Sequence, residues 1–444
     1  MQVRGEFSSR LGFILAASGS AVGIGNVWGF PTQVASNGGA AFVLVYLLLS
    51  FLLAYPVLMA ELVIGRSTGS NIVDALEKVT GRVYGRYVGV WGILTVLFLL
   101  AFYALIAGWM TAYMLQAITS ALGLSYLSNW LVSPSILRDV AFCGLFLGMS
   151  ASIVVCGVNK GIERWSRRLM PLLLSIIVIL IMFVSSMEGS GQGWKVYLMP
   201  DFSKVFDSNL LISAMGQAFF SMSVGVGGML IYGSYINKTE NLPMIGASVA
   251  IVDTSVAILA GMLIIPAMYV AAYNGIAIFD ADGSFIAGPN LVFTILPALF
   301  ESMGPTGGFF GFTFFALMVI AALTSSIAML EGPVAYMIEN KGQKRKVAVW
   351  RVTILVFVLS CFIVFNMEKL FQLVITVTTK YSQPLLGFVL CIFVGWVWKR
   401  DSILKELKSG DKDAEYRFFW IVWPLYIRFV CPVVILVVFY RSFT

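Results

Sequence analysis

Long apolar runs alternate with short polar connections along the whole chain, and apolar stretches of about 18 or more residues recur from Leu11 to Phe439, each long enough to cross a bilayer. The pattern predicts eleven helical spans, at 11–34, 39–65, 86–121, 140–158, 167–187, 209–236, 243–273, 307–338, 347–365, 370–398 and 418–440. The connections leave no room for a soluble unit, so residues 1–444 read as one all-α, polytopic transmembrane bundle.

Two spans break the apolar pattern. Span 1 contains Ser20-Ala-Val-Gly-Ile-Gly-Asn26, followed by Pro31, and span 6 contains Gln217-Ala-Phe-Phe-Ser-Met-Ser-Val-Gly-Val-Gly-Gly228. An unpaired backbone group is costly in hydrocarbon, so a broken helix persists there only where it is buried in protein or lines a cavity. The breaks lie five spans apart, and because five is odd the second unit enters the membrane in the opposite sense. This predicts five-plus-five inverted repeats at about 11–187 and 209–398, an appended helix at about 418–440, and a binding site at the midplane. Close helix packing by small residues is the alternative, and a matched pair of breaks weakens it.

Charge sets the orientation. Arg4 and Arg10, then Arg66, Lys78, Arg82 and Arg86, then Lys160, Arg164, Arg167 and Arg168, then Lys238, then Lys341, Lys344, Arg345 and Lys346, and finally the stretch 399–417 fall on alternate connections. The positive-inside rule then predicts a cell (inner) membrane protein with a cytoplasmic N-terminus and an extracytoplasmic C-terminus. The net charge of +7 follows from these loops and calls for no nucleic-acid partner. The opposite connection at 274–306 carries Asp280, Asp282 and Glu301 without Lys or Arg, and is long enough to hold short helices and act as an external lid.

Composition narrows the chemistry. With no histidine the chain has no imidazole base, metal ligand or proton relay. Its five cysteines, without a C-x-x-C pair, read as small core residues, and the polar N-terminus with a long first apolar run does not resemble a cleavable signal. A membrane enzyme or non-transporting receptor would need catalytic or signalling groups that the pattern lacks.

Half-helix N-termini attract anions, while unwound carbonyls attract cations. Around the breaks lie the neutral oxygen donors Asn26, Ser221, Ser223 and Thr324-Ser325-Ser326, a set that suits a monovalent cation beside a zwitterionic amino acid. Asp253, inside the apolar run 247–268, is a functional candidate against the alternative of a protonated or paired structural Asp. Glu61 reads as structural and Lys380 is left open. Tyr103 offers a phenol to a carboxylate, or packs.

Arg10-Leu-Gly-Phe-Ile-Leu-Ala-Ala-Ser-Gly-Ser-Ala-Val-Gly-Ile-Gly-Asn-Val-Trp-Gly-Phe-Pro31, Asn37-Gly-Gly-Ala-Ala-Phe42, Glu61-Leu-Val-Ile-Gly-Arg66, Gly216-Gln-Ala-Phe-Phe-Ser221 and Leu323-Thr-Ser-Ser-Ile-Ala328 together resemble the neurotransmitter:sodium symporters, over nearly the whole chain. The eleven-span layout is similar to prokaryotic members such as the bacterial leucine transporter. The resemblance implies two sodium sites. The first uses the Ala21 carbonyl, Asn26, Ser221, Asp253 and the substrate carboxylate; the second uses carbonyls of Gly19, Val22 and Ala321 with the hydroxyls of Thr324 and Ser325. Asp253 stands where many relatives have asparagine, and Ala257 where animal members carry a chloride-binding serine, which implies that chloride is not required.

For the substrate the resemblance implies Ala21, Val22, Gly23, Gly25, Leu99, Tyr103, Phe220, Ser223, Val226, Ser326 and Met329. Gly23 replaces the aspartate of monoamine carriers, which favours a substrate with its own carboxylate, and the apolar residues favour hydrophobic or aromatic L-amino acids. Gly29 and Ile375 stand where the outer ion pair is usual, so Phe102 with Phe220, or Lys380, is expected to close that side. Arg4, Phe7 and Glu339 match the inner latch. The expectation is sodium-coupled amino-acid symport by alternating access, with a proton-coupled or exchange carrier as runner-up and a homo-oligomer left open.

Overall fold

The computed structural model describes residues 5–279, 285–286 and 288–441, and within them the protein is all-α apart from one isolated bridge between Phe279 and Phe285. Among the described residues nine helices are long and apolar enough to cross a membrane: Ala40–Thr68, Val83–Ala121, Ile136–Val155, Val158–Ser185, Leu242–Tyr273, Gly307–Lys341, Arg345–Phe365, Met367–Val397 and Phe418–Val437. Span 1 is a tenth, split into Arg10–Ala21 and Gly25–Ser36 with a 56° bend. Span 6 is divided into Ser208–Ser221 and Gly228–Gly233, and each piece alone is too short to cross. Most ends fall within a few residues of the positions read from the apolar pattern, but span 5, read as 167–187, begins at Val158 with a π-helical turn over Val158–Glu163.

Polar residues punctuate the spans. Ser9, Asp207 and Asn241 cap spans 1, 6 and 7 by accepting backbone N–H groups that have no partner within the first helical turn. Pro31 sits where the π-helical turn Gly25–Gly29 passes into the α-helix Phe30–Ser36. Short helices occupy the connections: Ser125–Val132, Ser190–Leu198, the strongly amphipathic Ile72–Thr80 and Arg400–Lys408, none of them read from the sequence. The connection at 274–306 does hold a short apolar helix, Leu291–Ser302, whereas its Asp280 and Asp282 lie outside the described residues.

Two packing features position the site. Span 3 lies along span 8 over much of its length, forming one wall. Span 2 meets the second half of span 6 backbone to backbone: a Cβ on Gly233 would stand 2.8 Å from the Leu62 carbonyl oxygen. Small residues permit that approach, as is usual between membrane helices. Cys143, Cys391 and Cys431 are buried, but Cys156 at the end of span 4 is exposed and is no core residue, because it follows the last buried turn of its helix.

Candidate functional site

Span 1 stops being helical at Val22, whose backbone is extended, and resumes at Gly25. The Asn26 side-chain oxygen accepts the Gly23 N–H at 3.1 Å, and the Tyr103 hydroxyl accepts the Ile24 N–H at 3.3 Å, so side chains replace two lost helical acceptors. The span 6 break covers 222–227, where Ser223, Gly225 and Gly227 adopt φ of 50°, 88° and 73°. Left-handed backbone of this kind explains why glycines recur there. The Glu61 carboxylate accepts the N–H groups of Gly225 at 2.7 Å and Leu230 at 3.2 Å, and the Gln383 amide donates to the Val224 carbonyl at 2.9 Å.

The breaks bring together one polar cluster from spans 1, 6 and 7. The Asn26 amide donates to the Ser221 hydroxyl at 2.8 Å and to an Asp253 carboxylate oxygen at 2.8 Å, and Ser221 donates to the other Asp253 oxygen at 2.9 Å. All three are fully buried. Tyr46 of span 2 joins the cluster by donating to Ser221 at 3.0 Å. It was not foreseen, since a lone tyrosine in an apolar run reads as packing.

A second group lies between spans 1 and 8. The Ser325 hydroxyl is 2.9 Å from the Val22 carbonyl oxygen and 3.4 Å from that of Gly19, and Thr324 donates to the Ala321 carbonyl at 3.0 Å. Ser325 thus ties span 8 to two carbonyls of the span 1 break, and a Cβ on Gly19 would stand 3.2 Å from the Thr324 side chain. Carbonyl and hydroxyl oxygens of this kind fit a hard monovalent cation.

A cavity of about 60 Å³ lies beside the two breaks. Ala21, Gly23, Gly25, Leu99, Phe102, Tyr103, Phe220, Ser223, Val226, Ser325 and Met329 line it, with no charged side chain on its wall. A Cβ on Gly23 would stand 2.6 Å from the Ser325 hydroxyl and 2.9 Å from that of Tyr103, and one on Gly25 would stand 2.7 Å from the Phe220 ring. Two expected residues lie off the wall. Val22 presents its carbonyl to Ser325. The Ser326 hydroxyl pairs with Ser150 of span 4 at 2.7 Å.

The side predicted to be external is closed by aromatics. The Trp28 indole donates to the Gly288 carbonyl at 2.9 Å, and its ring meets Phe293, which also contacts Trp109 and Tyr113. Phe102 is buried on the cavity wall, whereas Lys380 is exposed and takes no part in the cavity. On the opposite side Phe7 packs on Phe13 and Tyr232 and donates its N–H to the Tyr235 carbonyl at 3.3 Å. Arg4 lies outside the described residues. Glu339 accepts from the Asn71 backbone and side chain, both at 2.9 Å. Nearby, buried Glu331 pairs with Arg345 at 2.5 Å and accepts from Tyr235 at 2.8 Å.

The chain is similar to known proteins. A model of the sodium:neurotransmitter symporter family matches residues 4–142 and 138–444. YhdH, a sodium-dependent transporter of Bacillus subtilis (strain 168), is 31% identical over 449 residues, covering 98% of this chain and 96% of its own. A sodium-dependent transporter of Haemophilus influenzae is 32% identical, covering 98% and 97%. MhsT, solved in complex with L-phenylalanine, matches with a TM-score of 0.85 at 34% identity, over 99% of this chain and 100% of that one. The spans accordingly form the leucine-transporter-like bundle of two inverted five-span units with an eleventh helix. The chain belongs to the sodium:neurotransmitter symporter family, multi-pass membrane proteins that carry a small molecule with sodium and are transporters rather than enzymes.

Proposed function

We propose that the protein imports a hydrophobic or aromatic L-amino acid together with sodium by alternating access, from an orientation with the N-terminus in the cytoplasm. The observation that carries this reading is the uncharged cavity wall: Gly23, hemmed in by Ser325 and Tyr103, leaves no carboxylate to hold an amine. A bare amine or a bare acid would leave its charge unmet in that wall. A zwitterion brings both charges, with its carboxylate toward the span 1 break and its side chain among Leu99, Phe220, Val226 and Met329.

One sodium ion takes the Ala21 carbonyl, Asn26, Ser221, Asp253 and the substrate carboxylate; a second takes the carbonyls of Gly19, Val22 and Ala321 with Thr324 and Ser325. For the first, the Asn26 amide turns its oxygen toward the ion, exchanging the hydrogen bonds it now makes. Asp253 supplies fixed negative charge there, and Ala257 offers no hydroxyl to an anion, so chloride is not needed. Because the substrate carboxylate completes one ion's shell, sodium and substrate raise each other's affinity by the same factor. The segments 20–26 and 221–228 act as hinges, with Trp28, Phe102 and Phe220 on the outer side and Phe7 and Glu339 on the inner side.

A panel of amino acids competing against one sodium-dependent radiolabelled ligand tests the substrate class. Competition by leucine, phenylalanine, tyrosine and tryptophan, and none by aspartate or lysine, is expected. Preference for charged amino acids overturns the reading.

A further inference from the structure

Gln383 of span 10 reaches the cavity wall from outside the group of residues that the sequence pattern singles out. It is 3% exposed, and its amide nitrogen donates to the Val224 carbonyl in the span 6 break. A carbonyl can only accept, so that contact fixes the amide with its N–H toward span 6 and its oxygen the other way. Among the described residues the Gln383 side-chain oxygen has no hydrogen-bond partner, although it is buried. A buried acceptor is costly to leave unmet, and native interiors rarely do so without a ligand or water to serve it. Gln383 shares the cavity wall with the hydroxyls of Ser20, Tyr103, Ser223 and Ser325, and none of them serves this oxygen. The left-handed glycines 225 and 227 keep span 6 unwound beside Gln383: a Cβ on Gly225 would strike the Gln383 carbonyl oxygen.

We infer that Gln383 is a specificity-determining residue: its side-chain oxygen accepts a hydrogen bond from the far edge of the substrate's side chain. The ligand class is therefore aromatic L-amino acids that carry an N–H or O–H on the ring, such as tryptophan and tyrosine, ahead of isosteres lacking that donor. This rests on the reading of the cavity as an amino-acid site. Leu99, Phe220 and Met329 supply apolar contact common to all aromatics, whereas Gln383 discriminates among them. A site with a fixed polar partner rejects an analogue that leaves the partner unpaired far better than an apolar pocket rejects a polar isostere.

The test measures sodium-dependent binding of four ligands to the full-length protein in detergent: L-tryptophan, 1-methyl-L-tryptophan, L-tyrosine and L-phenylalanine. The wild type should bind each donor-bearing member about tenfold tighter than its partner, the factor that one net hydrogen bond supplies. In Gln383→Met, which keeps the length but loses both the acceptor and the bond to the Val224 carbonyl, both ratios should fall toward one whatever the change in phenylalanine affinity. A general weakening of all four with unchanged ratios assigns Gln383 a structural role and overturns the inference. Wild-type ratios near one overturn it without any variant. Failure of all four to bind under sodium overturns the inference, and failure of L-leucine as well overturns the amino-acid reading itself.

Discussion

Glu61 of span 2 holds the N–H of Gly225 in the span 6 break at 2.7 Å, across 164 residues of chain, and the same carboxylate takes the Leu230 N–H at 3.2 Å. The break and the half-helix that follows it are thus pinned by one buried side chain. Without it, two backbone donors would stand unmet in a region that water does not serve.

Glu61→Ala should therefore cost about 2–4 kcal/mol, since charge-assisted hydrogen bonds contribute about 1.5–3 kcal/mol each and part is recovered by relaxation. The expected result is a melting temperature lowered by several degrees in detergent, together with weaker substrate binding. Unchanged melting would mean that the break supports itself.

Gly23→Ala tests the geometry of the span 1 break. Its methyl group would press on the Ser325 and Tyr103 hydroxyls at 2.6 Å and 2.9 Å. Substrate affinity should fall at least tenfold, on the order of 1.4 kcal/mol or more, while the protein stays folded. Gly216→Ala in the first half of span 6 meets nothing within 4 Å and should leave binding intact. Equal effects of the two changes would locate the damage in helix stiffness rather than in the cavity.

Chloride dependence follows from Asp253 and Ala257. Sodium-driven uptake into proteoliposomes should be equal in chloride and gluconate media, because the negative charge near the first ion is already part of the chain. Strict dependence on chloride would contradict this role for Asp253.

The spans and both breaks were legible because they rest on properties local to the sequence: apolar run length, glycine clusters and alternating basic loops. The break in span 6 is shorter than the polar stretch suggests. Helix continues from Gln217 through Ser221, since only Ser223, Gly225 and Gly227 take left-handed backbone. What could not be read were partners chosen by packing between distant spans. Glu61 reads as a structural carboxylate, and its hold on the span 6 break appears only when span 2 meets Gly233 and Leu230. Tyr46, in an apolar stretch, and Gln383, at the end of the polar run Thr378-Thr-Lys-Tyr-Ser382, gain meaning from Ser221 and Val224, 175 and 159 residues away. The outer side is similar: the family resemblance marks Gly29 as lacking a gate charge, but the aromatic closure by Trp28 and Phe293 depends on where the 274–306 connection folds back. Lys380, considered as an electrostatic substitute, is exposed.

The most direct measurement of the coupling between ion and substrate is sodium-dependent amino-acid binding to Asp253→Ala, with thermal unfolding recorded on the same preparation. The cluster of Asn26, Ser221 and Asp253 predicts a folded protein whose substrate binding no longer responds to sodium. Binding that keeps its sodium dependence in this variant would show that Asp253 is structural and that the first ion site lies elsewhere.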